Sequence, residues 1–392
     1  MVLAFLVLAG CTSDQIDRQN PTRSDDQLAL RTGAEVLAGR QFDLLQGKRV
    51  GLITNHTAKI DSVHLIDALF RDPQVELVAL FGPEHGLRGL SEGGDKVTDG
   101  VDAATGVPVF SLYGANRQPP DSVLATLDIL VFDIQDVGAR FYTYISTMGL
   151  AMQAAARAGV PFLVLDRPNP LGRRVEGPVR EPEFKSFVGL YPIPITHGLT
   201  VGELAVQIKS NGWLEDLEEL QLEVVETEGW DHTRLWPETG RPWVPTSPNI
   251  PDFETALVYP GTCLFEGTSW SEGRGTPTPF RLVGYPGIDG ASVADTLNAL
   301  NLPGVRFEAA TFTPVSIPGK SSNPKHEGIE LGGVRLIVTD YRSYEPVRTG
   351  IEVVKAAFRA TPESEQAGFF RKRGFDRLAG TSTLRESITG GR

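Results

Sequence analysis

Cysteine is nearly absent from this 392-residue chain: there are two, Cys11 and Cys263, in unrelated contexts. That leaves no disulfide framework to stabilise the fold. A surplus of cations is missing as well. Lys and Arg number 37 against 49 Asp and Glu, a net charge of −12, which argues against nucleic acid as a partner because phosphate must be neutralised by basic side chains. No apolar run reaches the roughly 20 residues of a membrane-spanning helix. Several signatures are lacking too. There is no GxGxxG after the first predicted strand and no GxxxxGK[ST], so a nucleotide cofactor has no support. No GxSxG elbow suggests an esterase, and the six histidines are scattered with no HExxH spacing. Neither a cofactor nor a zinc site is expected.

What is present fits a folded enzyme. Hydrophobic residues make up 41% and charged residues 22%, enough apolar material for a large core. The length suggests two domains. The 42 Gly and 28 Pro point to many turns and ordered functional loops rather than low complexity. The start is distinctive: Met1 to Gly10 is apolar, and Leu8-Ala9-Gly10-Cys11 resembles a bacterial lipobox, in which the cysteine is lipid-modified. Residues 1–11 are therefore expected to be a secretion signal and 12–32 a polar tether. The protein would cross the inner membrane and stay lipid-anchored in the periplasm or cell envelope.

From residue 47 short apolar runs alternate with helical patterns. Strands are expected at 49–54, 75–81, 107–112, 128–132 and 161–165, and helices at 63–70, 145–158 and 201–211, the last opened by a Thr200/Glu203 capping box. Continuous Val/Ile/Leu runs spaced by helices indicate parallel strands buried on both faces. The fold class is α/β, a doubly wound parallel sheet. Between 226 and 260 the pattern breaks into Trp- and Pro-rich sequence, and the boundary is placed there: 33–240 is the first domain and 241–392 a smaller α+β domain. The second is expected to carry a helix near 291–300, strands near 305–312 and 334–339, a helix near 350–360 and a frayed tail from Thr381.

Polar clusters follow the predicted strands at their C-terminal ends, where open α/β sheets bind ligands. They are Asn55-His56, Glu84-His85, Asp133 to Asp136, and Asp166 to Asn169. Glu84 lies between Pro83 and Gly86, which fixes one side of its loop and allows close approach on the other. A carboxyl there suits acid/base work. In Arg140-Phe-Tyr142-Thr-Tyr144, the Arg fork is suited to a carboxylate and the phenols to a sugar ring; equally, Arg140 would pair with Asp133 or Asp136 inside the fold. The glycine-rich stretch 266–280 carries Glu266, Glu272 and Arg274, and either closes over the site or merely connects the domains.

Four motifs, Gly82-Pro-Glu84-His85-Gly-Leu-Arg88-Gly, Asp133-Ile-Gln-Asp136-Val-Gly-Ala-Arg140-Phe-Tyr-Thr-Tyr144, Leu165-Asp166-Arg-Pro-Asn169-Pro and Glu266-Gly-Thr-Ser-Trp-Ser-Glu272-Gly-Arg274-Gly-Thr276, occur in one order. In these the chain, from about Gly33 onward, resembles the exo-β-N-acetylmuramidases of NamZ type, glycoside hydrolase family 171. The resemblance implies a Rossmann-like domain, a smaller C-terminal domain and a cleft between them. The cleft would take the non-reducing end of a peptidoglycan-derived muropeptide or disaccharide and release N-acetylmuramic acid in cell-wall recycling. Carried over motif by motif, Glu84 is the strongest catalytic carboxylate. His85, Asp133, Asp136, Arg140, Tyr142, Asp166, Asn169, Glu266, Glu272 and Arg274 are pocket residues, joined by Asn55 from the first strand end.

Most glycosidases set two carboxyl groups around an oxocarbenium-like transition state. Glu84 is expected as acid/base, with Glu272, Asp136 or Asp166 as its partner; substrate assistance by the 2-acetamido group is the exception to that scheme. Because so acidic a protein gains little from long-range steering of an anionic sugar, the lactyl carboxylate is expected to meet a local cation, Arg140 or Arg274. Two other readings compete: a metal-dependent hydrolase or esterase built on Asp133, Asp136 and Asp166, and a muropeptide-binding lipoprotein without catalysis.

Overall fold

The computed structural model describes residues 29–84, 86–87, 99–114 and 116–391. Cys11 and His85 lie outside the described residues. The chain begins with helix α1 (Gly33–Gly39), capped by Thr32 in a capping box with Glu35. Seven strands then form one sheet: β1 (Arg49–Thr54), β2 (Glu76–Gly82), β3 (Gly100–Val101), β4 (Pro108–Ser111), β5 (Ile129–Asp133), β6 (Phe162–Leu165) and β7 (Leu222–Val225). Their order is β7-β6-β5-β1-β2-β4-β3. Every pair is parallel except the short edge pair β3/β4. The order runs outward from β1 to β2 and β4, then returns to β5 on its other side, so the sheet is doubly wound, with its switch point beside β1.

Burial explains why these runs became strands. β5 and β6 are buried at every position, and β1 at all but its first, as expected of parallel strands covered on both faces. On one face α1 and α2 (Leu65–Arg71) seal a core of Leu37, Leu52, Leu69, Val131 and Leu165. On the other, α3 (Tyr144–Ala158) and α4 (Val201–Ser210) pack against Ile53, Phe81, Phe132 and Val164. The Thr200/Glu203 capping box of α4 is formed.

That second core does not stop at the domain boundary. It runs on as one cluster through Leu257, Trp270, Val334 and Phe375 to Ile388, so the C-terminal part is built onto the sheet domain. Its own sheet is antiparallel, with β8 (Leu282–Tyr285), β9 (Val305–Phe312) and β10 (Leu331–Val338) in the order β8-β10-β9. Helices α5 (Phe253–Thr262), α6 (Gly290–Asn298), α7 (Pro346–Ala360) and α8 (Lys372–Ala379) surround it. Helices α5 and α7 cross where Gly261 meets Gly350: a Cβ on Gly350 would stand 2.3 Å from the Gly261 Cα. Only residues without side chains fit there.

Two expectations need correction. α5 lies inside the Pro-rich stretch read as irregular, because Asp252 caps it through the Thr255 amide and its one proline, Pro260, falls in the last turn. The tail read as frayed forms helix α9 (Thr383–Thr389), held by an Arg385–Asp376 ion pair at 2.8 Å and by Ile388 packed into the core.

Candidate active site

A cavity of about 560 Å³ opens at the C-terminal edge of the large sheet and is closed from the other side by the C-terminal part. That volume is within the range of small-molecule sites. One wall is built by the turn after β2. Pro83 ends the strand, and half-buried Glu84 turns toward the start of α3, where its Oε2 accepts a hydrogen bond of 2.8 Å from the Thr143 hydroxyl. Thr143 is the cap residue of α3, so a rigid helix end sets the position of the carboxylate.

The opposite wall comes from the turn that follows α5 and from the loop beyond it. Glu266 accepts a 2.7 Å hydrogen bond from Arg274 Nη2, while Arg274 Nε lies 3.6 Å from Glu272 and the guanidinium sits over the Phe280 ring at 5.0 Å. Burial would strip charge from Arg274, but Glu266 and Glu272 outweigh it and hold its pKa above the usual value. Among the described residues, Glu84 and Glu266 are the two carboxylates that line the cavity. Glu272 does not line it; it is buried behind, with Lys325 Nζ at 2.9 Å.

An aromatic floor joins the walls. Tyr142 packs edge-on against Tyr144 at 4.9 Å and Tyr259 at 5.8 Å, and Tyr259 against Phe280 at 4.9 Å. The Tyr142 hydroxyl donates to Thr246 Oγ1 and the Tyr144 hydroxyl to the Thr246 carbonyl, both at 2.8 Å. Burial pushes both phenols above their ordinary pKa, so they stay neutral. Flat, rigid rings with fixed hydroxyls suit the apolar face of a pyranose.

The sequence-predicted residues therefore divide. Glu84, Tyr142, Glu266 and Arg274 meet in the cavity, and Glu272 supports Arg274 from behind. The others do not line the cavity and make most of their contacts inside the fold, as buried charged and polar groups generally do. Asp133 is wholly buried in an ion pair with Arg167, whose Nη2 is 3.0 Å away. Asp136 accepts the Gly138 amide at 2.6 Å through Oδ2 and faces His197 Nε2 at 3.8 Å, while its buried Oδ1 has no hydrogen-bond partner among the described residues. Asp166 accepts the amides of Arg167 at 2.9 Å and Gly202 at 2.8 Å at the start of α4. Burial pushes its carboxyl up to about 6. These three aspartates do not converge, and among the described residues no group of three or more His, Cys, Asp or Glu is arranged to hold a metal ion.

The remaining three are equally committed. Arg140 is not a ligand clamp and pairs with neither Asp133 nor Asp136. Its guanidinium donates to the carbonyls of Pro178, Ile193, Leu378 and Ala379 at 2.7–2.8 Å, tying the first domain to the end of α8. Asn169 bonds the Leu171 amide and the Leu199 carbonyl. Asn55 accepts from the Thr57 amide at 3.0 Å and hydroxyl at 2.6 Å.

Sequence reasoning missed Thr143, Tyr259, Arg117, Lys185, Phe187 and Arg377, all of which line the cavity. One signal was available: the chain from β6 to α4, 166–200, is far longer than an ordinary α/β loop, and such loops are usually functional. Nothing local marks Arg377, which reaches the cavity from α8.

Two carboxylates facing one aromatic, polar cavity at the edge of a doubly wound sheet define an acid/base hydrolase for a ring-shaped polar substrate. The comparisons narrow this. Residues 50–254 match the family described as Exo-beta-N-acetylmuramidase NamZ, N-terminal, and 257–392 match its C-terminal counterpart. The chain belongs to this family. It is 46% identical over 377 residues to the peptidoglycan beta-N-acetylmuramidase NamZ of Bacillus subtilis (strain 168), covering 96% of this chain and 87% of that protein. Crystal structures of two DUF1343 family proteins from Bacteroides fragilis NCTC 9343 share the fold. One has a TM-score of 0.83 at 38% identity, over 92% of this chain and 91% of that one. The other has 0.74 at 33%, over 93% and 91%.

Proposed function

We propose that this protein is an exo-acting β-N-acetylmuramidase that hydrolyses terminal, non-reducing N-acetylmuramic acid from peptidoglycan fragments in cell-wall turnover. The observation that carries the reading is the convergence of Glu84 and Glu266, from opposite halves of the chain, on one cavity floored by tyrosines. Glu84 is the acid/base that protonates the leaving oxygen. Glu266, rather than Glu272, Asp136 or Asp166, is the facing carboxylate, and Arg274 orients it from the Glu272 side. Closure of the cavity by the C-terminal part favours attack on a chain end over attack within a chain.

Turnover of a chromogenic β-N-acetylmuramide tests this. Glu84→Gln is expected to lower kcat by about 10²–10⁴-fold with an unchanged melting temperature; full turnover by the variant overturns the assignment. For location, we propose export across the inner membrane and lipid anchoring at Cys11, supported by the lipobox-like Leu8-Ala9-Gly10-Cys11. Labelling with a lipid precursor should mark the protein in the envelope fraction, and Cys11→Ser should abolish the label. A label that survives this substitution refutes the anchor.

A further inference from the structure

The cations of the cavity are not equivalent, and the two favoured from the sequence are the two that are already spent. Arg140 lies outside it on four carbonyls, and Arg274 is neutralised by Glu266 and Glu272. Three others line the same space: Arg117, Lys185 and Arg377. Among the described residues, none of the ion pairs involves these three; the acid adjacent in sequence to Arg377, Asp376, is taken by Arg385 at 2.8 Å.

One loop gathers them. Lys185 stands on it two residues before Phe187, and the Phe187 ring carries the Arg117 guanidinium at 4.2 Å. The loop is fastened to the end of α8 by the Glu181 amide on the Gly380 carbonyl at 2.8 Å and by the Thr381 hydroxyl on Glu181 Oε1 at 2.7 Å. A Cβ at Gly189 would sit 3.8 Å from the Arg377 carbonyl. The cavity thus sets three positive charges, without carboxylate partners among the described residues, into a protein of net charge −12. Such a cluster is complementary to an anionic substituent, and a guanidinium fork on a helix is pre-organised for a carboxylate.

We propose that Arg377, flanked by Lys185 and Arg117, binds the carboxylate of the lactyl ether, the group that distinguishes N-acetylmuramic acid from N-acetylglucosamine, and so selects the sugar. This rests on the muramidase reading above. Arg377 is the primary contact because it is half-buried on a helix, whereas Lys185 and Arg117 are exposed and supply field rather than a fixed fork.

The test compares N-acetylmuramic acid with its methyl ester, which removes the charge and adds one methyl group, by titration calorimetry, alongside turnover of the chromogenic muramide. Wild type is expected to bind the acid about 10- to 100-fold more tightly than the ester, the span of one or two charge-assisted hydrogen bonds. Arg377→Gln should bring that ratio close to one and raise KM more than it lowers kcat, and Lys185→Gln and Arg117→Gln should each reduce the ratio by less. An Arg377→Gln variant that keeps the wild-type ratio overturns the proposal, as does one that weakens acid and ester equally, and so does a wild type that does not discriminate. A wild type that neither binds nor cleaves any muramide overturns the muramidase reading itself.

Discussion

Glu84 leaves the C-terminal edge of the large sheet beside β1, and Asp133, Asp136 and Asp166 leave the same edge on the other side of that strand, yet the outcomes are opposite. Glu84 is half-buried, bonded to one hydroxyl and open to a cavity. The three aspartates are buried: Asp133 is held by Arg167, Asp136 by the Gly138 amide two residues on, and Asp166 by the amides of Arg167 and of the distant Gly202. The difference lies in reach. The short Asp side chain readily closes small rings with nearby amides, as Asp136 does with Gly138 and Asp166 with Arg167, while Asp133 meets the arginine that follows the neighbouring strand. A longer glutamate after a proline is carried past such contacts. The same contrast separates two arginines: Arg140 is a bolt between domains, and Arg274 is a brace behind a carboxylate.

This contrast can be broken at several points. The largest expected effect on the fold is at Arg140. Arg140→Met removes the donor from four carbonyls, three of them buried, and unfolding in urea should show a loss of about 3–5 kcal/mol; a loss under about 1 kcal/mol would mean that the bolt carries no load. Next is Glu266→Gln, which keeps the shape but removes the second carboxylate charge from the cavity that Glu84 lines. It should lower kcat by about 10- to 1000-fold at unchanged stability, and an unaffected kcat would remove Glu266 from the mechanism.

The smallest effect sharpens the role of Asp166. Burial raises its carboxyl to about 6 from an ordinary 3.8, so between roughly pH 4 and 6 the folded protein holds a proton that the unfolded chain has lost. This group's contribution to folding is therefore greatest below pH 4 and fades as pH rises through 6, by at most about 2–3 kcal/mol. Asp166→Asn retains an acceptor for the two amides without the charge. It should flatten that slope and raise stability at pH 8, and a steeper slope in the variant would contradict a structural, charge-strained Asp166.

Much of the fold was legible because its signal is redundant. Val/Ile/Leu runs, helical periodicity and the Thr200/Glu203 cap all pointed to the same doubly wound sheet. What was missed depended on tertiary contacts: α5 is specified by a single Asp cap in Pro-rich sequence, and α9 by an ion pair and one buried isoleucine. The site was legible in part for the same reason. Strand-end position located Glu84 and the motifs located Tyr142, Glu266 and Arg274, but position alone could not separate an acid that opens into a cavity from one bonded inside the fold. Arg377 was invisible because its part depends on a loop nearly 200 residues earlier in the chain.

The central claim is that Glu84 acts on substrate whereas the neighbouring aspartates act on the fold. Its most direct test is parallel measurement of kcat on the chromogenic muramide and of unfolding free energy for Glu84→Gln, Asp133→Asn, Asp136→Asn and Asp166→Asn. The account predicts that Glu84→Gln alone loses kcat by two orders of magnitude or more at wild-type stability, while the aspartate variants shift stability and keep kcat within about threefold when folded. An Asp136→Asn or Asp166→Asn enzyme with wild-type stability and a kcat as low as that of Glu84→Gln would contradict it.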